Sequence, residues 1–198
     1  VIAQAKASGV SQIVFLSLLG AEKNPVVPHA GIEKSILASG VPYTFLRPSF
    51  FMQNLSTTHR ADIQEYGQIY VPAGKGKTSF IDVRDIAAVA AKTLIEDGHE
   101  NKAYPLTGDV ALDYSQVAVI FSGVLGRRIT YPNPSMLAFA RRMRQRGINW
   151  SYIAVMIGIY TTAKLGMAGG VTADTHTMLG RPTITMQQFV QDYRDCWL

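Results

Sequence analysis

Residues 29–54 read HAGIEKSILASGVPYTFLRPSFFMQN, and the fold is decided by this stretch. Its first half is patterned as an amphipathic helix, with Ile32, Ile36 and Leu37 as the apolar stripe and Lys34 and Ser35 toward solvent. Gly40 and Val41 form a short turn, and YTFLRP at 43–48 is an apolar run of the kind found in buried strands. Pro48 lacks an N–H and is expected to end that strand's hydrogen bonding before a loop opens the next helix. In an open α/β sheet, ligands lie beyond the carboxyl ends of the strands, so a site is expected after Leu46. His29 and Glu33, four apart, share one helix face and bring a titratable ring toward the same edge.

Working outward, SQIVFLS at 11–17 is a second apolar run, expected as a parallel strand buried on both faces, and Ser17 to Gly20 is a further candidate site loop. Residues 1–8 are helix formers stopped by Gly9. Within GQIYVPAGKGKTSFIDV at 67–83 the triplet GKT suggests a phosphate loop. That pattern needs glycine where Val71 stands and a helix where SFIDV reads as a strand, so a glycine-rich hairpin is expected instead. DVRDIAAVAAKTLIED reads as a helix capped by Asp82 with Asp85 in its first turn. Ile86, Val89, Ala90 and Leu94 form its core face, and both aspartates are structural. KAYPLTG is expected as a strand, 112–125 as a helix ended by Gly126, and RRITYP as an edge strand. In the tail, Thr172 or Asp174 starts a helix, Gly180 and Pro182 break it, and Thr185 caps the last one.

Composition narrows the function. The 198 residues are 47% hydrophobic and 17% charged, which argues for a globular chain and against disorder. The net charge of +5 is densest at Arg141, Arg142, Arg144 and Arg146, where no aromatic residues interleave for base stacking; a solvated helix face is expected, with no nucleic acid partner. Residues 147–163 carry no charge, but Asn149, Ser151, Thr161 and Thr162 dilute them and Lys164 cuts them short. No membrane span is expected; a lid helix over an apolar pocket, or a dimer contact, fits better. The single Cys196 points to a reduced, cytoplasmic setting, and histidines at 29, 59, 99 and 176 have no metal-ligand spacing.

HxxxE at 29–33, SGVPYTFLRP, FFMQN, FIDVRDIA and the closing VTADTHTMLGRPTITMQQF together resemble the NmrA-like branch of the atypical short-chain dehydrogenase/reductases. The resemblance implies an NAD(P)-binding α/β fold: the C-terminal part of a doubly wound, Rossmann-like parallel sheet with a small, mostly helical substrate lobe. Residues 1–58 and 79–108 would form the Rossmann-like part and 109–198 mainly the lobe and C-terminal helices. The sequence contains no GxxGxxG turn, so the pyrophosphate site is expected on a portion outside these residues. His29 falls where the superfamily carries its lysine and Pro25 where it carries its tyrosine, so proton donation by tyrosine is not implied.

The resemblance points to His29 as catalytic or positioning, and to Ser17, Leu18, His29, Pro48, Ser49, Phe50 and Phe51 as the cofactor-binding set. Phe51 and Asn54 would contact substrate. Plainer readings stand beside these: Ser17 satisfying a strand end, His29 structural, the two phenylalanines in the core, Asn54 capping a turn. The expected activity is NAD(P)H-dependent reduction of a small apolar acceptor such as a quinone, azo compound or conjugated carbonyl, with NADP, or NAD, as cofactor. The alternative is a non-catalytic redox sensor that binds the dinucleotide and acts through a regulatory protein partner. Homo-oligomerisation is compatible with either.

Overall fold

The computed structural model describes residues 1–198. In chain order it contains α1 (Ile2–Ala7), β1 (Ile13–Leu16), α2 (Pro28–Ser39), β2 (Tyr43–Pro48), α3 (Arg60–Tyr66), α4 (Val83–Ile95), β3 (Lys102–Leu106), α5 (Tyr114–Leu125), α6 (Met136–Gln145), α7 (Trp150–Lys164), α8 (Asp174–Leu179) and α9 (Met186–Asp192). Two compact units result. The first holds Val1–Ser49, Ile81–Asp109 and Thr172–Thr183; the second holds Phe50–Phe80, Val110–Val171 and Ile184–Leu198. The second unit starts at Phe50, and Thr172–Thr183 of the tail belongs to the first.

The first unit is built on a parallel sheet in the order β1-β2-β3, with Phe15 opposite Phe45 and Phe45 opposite Ala103. β2 is central and its Phe45 and Leu46 are buried. β1 was expected to be buried on both faces; it is an edge strand, and Leu16 is 48% exposed because only β2 pairs with it. Pairing does not stop at Pro48. Its carbonyl accepts from the Leu19 N–H at 3.0 Å, and the next N–H, Ser49, donates to Leu106 at 2.9 Å. A proline removes a donor but keeps its acceptor.

α2 begins with Pro28 in its first turn and ends at Gly40, which has a left-handed φ of 72°. Its buried face is Ala30, Glu33 and Ile36, whereas Ile32 and Leu37 are exposed, contrary to the expected stripe. The helix is rotated because Glu33 is drawn inward by polar partners described below. In α4, Asp82 caps the Arg84 N–H at 2.8 Å. Asp85 is buried and pairs with Arg181 at 2.8 Å. The core face of α4 includes Ile86 and Val89 as expected, but Leu94 is exposed and Thr93 is buried in its stead. α8 packs on α4 and β3. Its N-terminal neighbour Thr172 does not cap it but donates to the Pro105 carbonyl at 2.6 Å.

The second unit packs α5, α6, α7 and α9 around Phe121, Phe139, Phe189 and Trp197, all fully buried. Asp113 and Gln116 cap α5 reciprocally, Asn149 caps α7, and Thr185 caps α9 as expected. The segment around residues 70–80 is not a hairpin. Its arms bridge elsewhere, Gln68 to Thr130 and Thr78 to Leu112, and the former bridge is all that remains of the edge strand expected at RRITYP. Gly76 lies so close to the end of α7 that a Cβ there would sit 1.7 Å from the Ala163 carbonyl oxygen. The glycines serve close backbone approach, not strand reversal.

The arginine cluster is only half solvated. Arg142 and Arg146 reach the fully buried Asp62 at 3.1 and 2.8 Å, and the Arg142 guanidinium lies 3.3 Å from the Tyr70 ring centroid. A buried carboxylate needs such counter-charge, and α6 supplies it from successive turns. Arg141 and Arg144 face solvent as expected. No helix is long and apolar enough to cross a membrane.

Candidate functional site

In the first unit, the parallel ladder carries the ends of β1 and β2 forward together. The Ser17 N–H donates to the Leu46 carbonyl at 2.7 Å and the Leu19 N–H to that of Pro48. Ser17 is buried and its hydroxyl donates to the Glu33 carboxylate at 2.5 Å. The same carboxylate receives a fork from Arg47, Nε at 3.0 Å and Nη2 at 2.7 Å, while the third arginine nitrogen meets Glu22 at 3.3 Å. Burial alone would raise the Glu33 carboxyl; the Arg47 fork and the Ser17 hydroxyl outweigh it and hold the group below its ordinary value. The Arg47 guanidinium is correspondingly pushed up by its bonds to Glu33.

His29 lies one turn before Glu33, its ring 6.2 Å from that of Phe15. Its Nδ1 is buried and has no hydrogen-bond partner. Glu33 therefore ties the end of β1 at Ser17 to α2, the helix that carries His29, and Pro48 joins them through the ladder. Leu18 is 37% exposed at the same strand end, and Ser49 is buried with its N–H on β3.

The second unit contains a cavity of about 90 Å³. Phe50, Phe51, Asn54, Thr58 and His59 line it from the segment after β2, and Tyr114 from α5. Tyr152, Met156, Ile159 and Tyr160 come from successive turns of α7. The uncharged helix thus forms one wall of an apolar cavity. Tyr152 and Ile159 lie at the open rim and are 48% and 44% exposed. Deeper, His59 Nε2 is hydrogen-bonded to the Tyr160 hydroxyl, and His59 Nδ1 is buried without a partner. Burial, helped by the charge of Arg146, pushes the His59 pKa down to about 4, so its imidazole is neutral near pH 7. Burial pushes the Tyr160 hydroxyl well above the ordinary phenol value.

The description of the NmrA-like family matches residues 1–164. The chain belongs to the NmrA-like family. This chain is similar to the NAD(P)H azoreductase of Xenophilus azovorans, with 37% identity over 194 residues covering 96% of this chain and 68% of the relative. It is also similar to the quinone oxidoreductase 2 of Escherichia coli (strain K12), 34% identical over 197 residues, covering 96% and 67%. The Escherichia coli NADPH-dependent quinone oxidoreductase complexed with NADPH superimposes with a TM-score of 0.88 at 31% identity, covering 96% of this chain and 68% of that one. The Citrobacter sp. triphenylmethane reductase complexed with NADP(H) does so with a TM-score of 0.87 at 25% identity, covering 97% and 68%. These likenesses bear out the α/β, Rossmann-like reading of this NmrA-like chain.

Of the expected site residues, the structure puts Phe50, Phe51 and Asn54 on the cavity wall of the second unit and Ser17, Leu18, Pro48 and Ser49 at the strand ends of the first. Sequence reasoning misses Arg47, Glu33's partner, although an arginine near the end of an apolar strand, 14 residues after a helix carboxylate, is a usable signal. It also misses His59 and Tyr160. They are 101 residues apart, and no local pattern joins them.

Proposed function

We propose that this NmrA-like chain reduces a small apolar acceptor with a nicotinamide dinucleotide. The observation that carries the reading is the apolar, ring-lined cavity of the second unit, which the chain enters directly after β2. Bound nicotinamide dinucleotide supplies a hydride. The residues of the first unit fit its nicotinamide end: the buried, unpartnered His29 Nδ1 is an acceptor or donor for a ribose hydroxyl. Ser17, fixed by Glu33, together with the Leu18, Pro48 and Ser49 backbone, lines the strand ends where such a ligand lies in this fold class. Because the sequence has no GxxGxxG turn, this fit concerns the nicotinamide end alone.

In the second unit, Phe50, Phe51, Met156 and Ile159 exclude water and take flat, apolar molecules. Exclusion of water favours hydride transfer over loss of reactive intermediates. The acceptor classes are those named in its relatives, quinone and azo compounds, which need less help from a protein acid than a simple ketone. NADP(H) is the preferred dinucleotide, a reading supported by the NADPH and NADP(H) complexes of the two solved relatives. His29 acts as a positioning group. Substitution of His29 by alanine is expected to raise the KM for NADPH several-fold while leaving the KM for the acceptor within twofold. Equal loss with both substrates would contradict the assignment.

A further inference from the structure

The deep wall of the second unit's cavity holds one buried polar pair, and the tautomer it must adopt determines what that pair offers a ligand. His59 is 1% exposed and neutral, so one ring nitrogen carries a hydrogen and the other a lone pair. Nε2 is bonded to the Tyr160 hydroxyl, whereas Nδ1 has no partner. Either tautomer leaves one hydrogen without a protein acceptor, on Nδ1 or on the Tyr160 hydroxyl, and a donor sealed from any partner is the costlier of the two. Nδ1 is sealed whereas Tyr160 borders the cavity, where water or a ligand can accept, so the hydrogen belongs on Nε2, which donates to the Tyr160 oxygen. That leaves the hydroxyl hydrogen of Tyr160 with no acceptor among the protein's groups, on a residue that borders the cavity and is itself only 6% exposed.

The neighbouring rings hold the hydroxyl in place. Tyr160 is packed edge-on against His59, Phe139 and Tyr114, with centroid separations of 5.7, 5.7 and 6.2 Å. Tyr114 is turned edge-on to Phe80 at 5.4 Å. The remaining polar lining differs in kind: Asn54 is exposed, Thr58 half-buried and Tyr152 at the rim.

We infer that the Tyr160 hydroxyl is the hydrogen-bond donor that meets the oxygen or nitrogen of the reducible group, with His59 as its positioning residue. The inference rests on the reading of the chain as an acceptor reductase and says which of its acceptors, those with a carbonyl or azo group, depend on Tyr160. Burial keeps the phenol protonated, so Tyr160 acts by hydrogen bonding and not by giving up its proton. Such a donor acts where charge develops on the acceptor's heteroatom, in a site largely closed to water.

The test compares two acceptor chemistries in the Tyr160→Phe variant. A 1,4-naphthoquinone gains negative charge on oxygen when reduced; a cationic triarylmethane dye takes hydride on carbon and develops none. Tyr160→Phe is expected to lower kcat/KM at least tenfold for the quinone and by less than twofold for the dye. Equal losses, or no loss, would overturn the inference. Calorimetric binding of the quinone without cofactor gives a readout independent of turnover. Weaker binding to Tyr160→Phe with no turnover in the unaltered protein would sink the reductase reading alone; unchanged binding would overturn the role of Tyr160. Should Tyr160→Phe fail to fold, His59→Gln, which keeps a side-chain N–H, is expected to retain quinone reduction better than His59→Leu at equal dye activity. Equal quinone activity in those two variants would also overturn it.

Discussion

Glu33 explains more of the first unit than any other single residue. It takes hydrogen bonds from Ser17 and from two nitrogens of Arg47, and it turns α2 so that Ile32 and Leu37 face outward. Replacing it with leucine would leave the partly buried Arg47 without its fork and free the Ser17 hydroxyl. Breaking one side of a buried pair costs on the order of 3 kcal/mol. Urea denaturation of Glu33→Leu is expected to show a loss of about that size, and Glu33→Gln a smaller one, since an amide still accepts from both partners. A loss below about 0.5 kcal/mol in Glu33→Leu would mean that the ion pair is effectively solvated. HxxxE shows only that a ring and a carboxylate share a face; it does not show that the carboxylate points inward. That depends on Arg47, on the next strand.

At the level of elements, periodicity and caps located most of what was expected. β2, β3, α4, α5 and α6 lie where their apolar runs and capping residues put them. Expectations failed where tertiary contacts override local pattern. IYVP and SFID have strand-like composition, but the Ile69 N–H donates to the Thr130 carbonyl and the Ser79 N–H to that of Ala168, so the two segments do not pair with each other. Gly76 shows why: it touches a helix 87 positions later, information no window of sequence holds. Gly76→Ala would drive a methyl into the Ala163 carbonyl, so a loss of about 3 kcal/mol or more, or failure to accumulate folded protein, is expected. Gly123→Ala makes a control, since a Cβ there meets nothing within 4 Å. Thermal melts of the two variants check this directly. For the site, the strand-end rule reached Phe50, Phe51 and Asn54 because they follow β2 at once. His59 and Tyr160 escaped it because α7 is distant in sequence and its tyrosines read as ordinary apolar helix residues.

For the molecule as a whole, the buried ionisable groups predict sensitivity to acid. Between pH 6.5 and about 4 the unfolded chain binds a proton on His59 that the folded protein refuses. Stability from that group is fully present above pH 6.5 and falls as the pH is lowered through this window, by up to about 3 kcal/mol. Glu33, held below its ordinary value of 4.5, adds a loss in the same direction at lower pH. Asp62 works against them: burial raises its carboxyl above 3.8 despite the pull of Arg146 and Arg142, so the folded protein takes up that proton first. Chemical denaturation at pH 7.0, 5.5 and 4.5 is expected to show a net decline, and His59→Gln to flatten it between the first two.

The central claim is that a nicotinamide dinucleotide bound by this protein is oxidised by small apolar acceptors. Its most direct measurement is the oxidation of NADPH by the purified protein against a panel of naphthoquinones and azo dyes, with acceptor loss followed in parallel. The expected result is stoichiometric, catalytic consumption of NADPH and acceptor. Binding of NADPH that leaves it unoxidised with every acceptor in the panel would contradict the claim and favour a sensor.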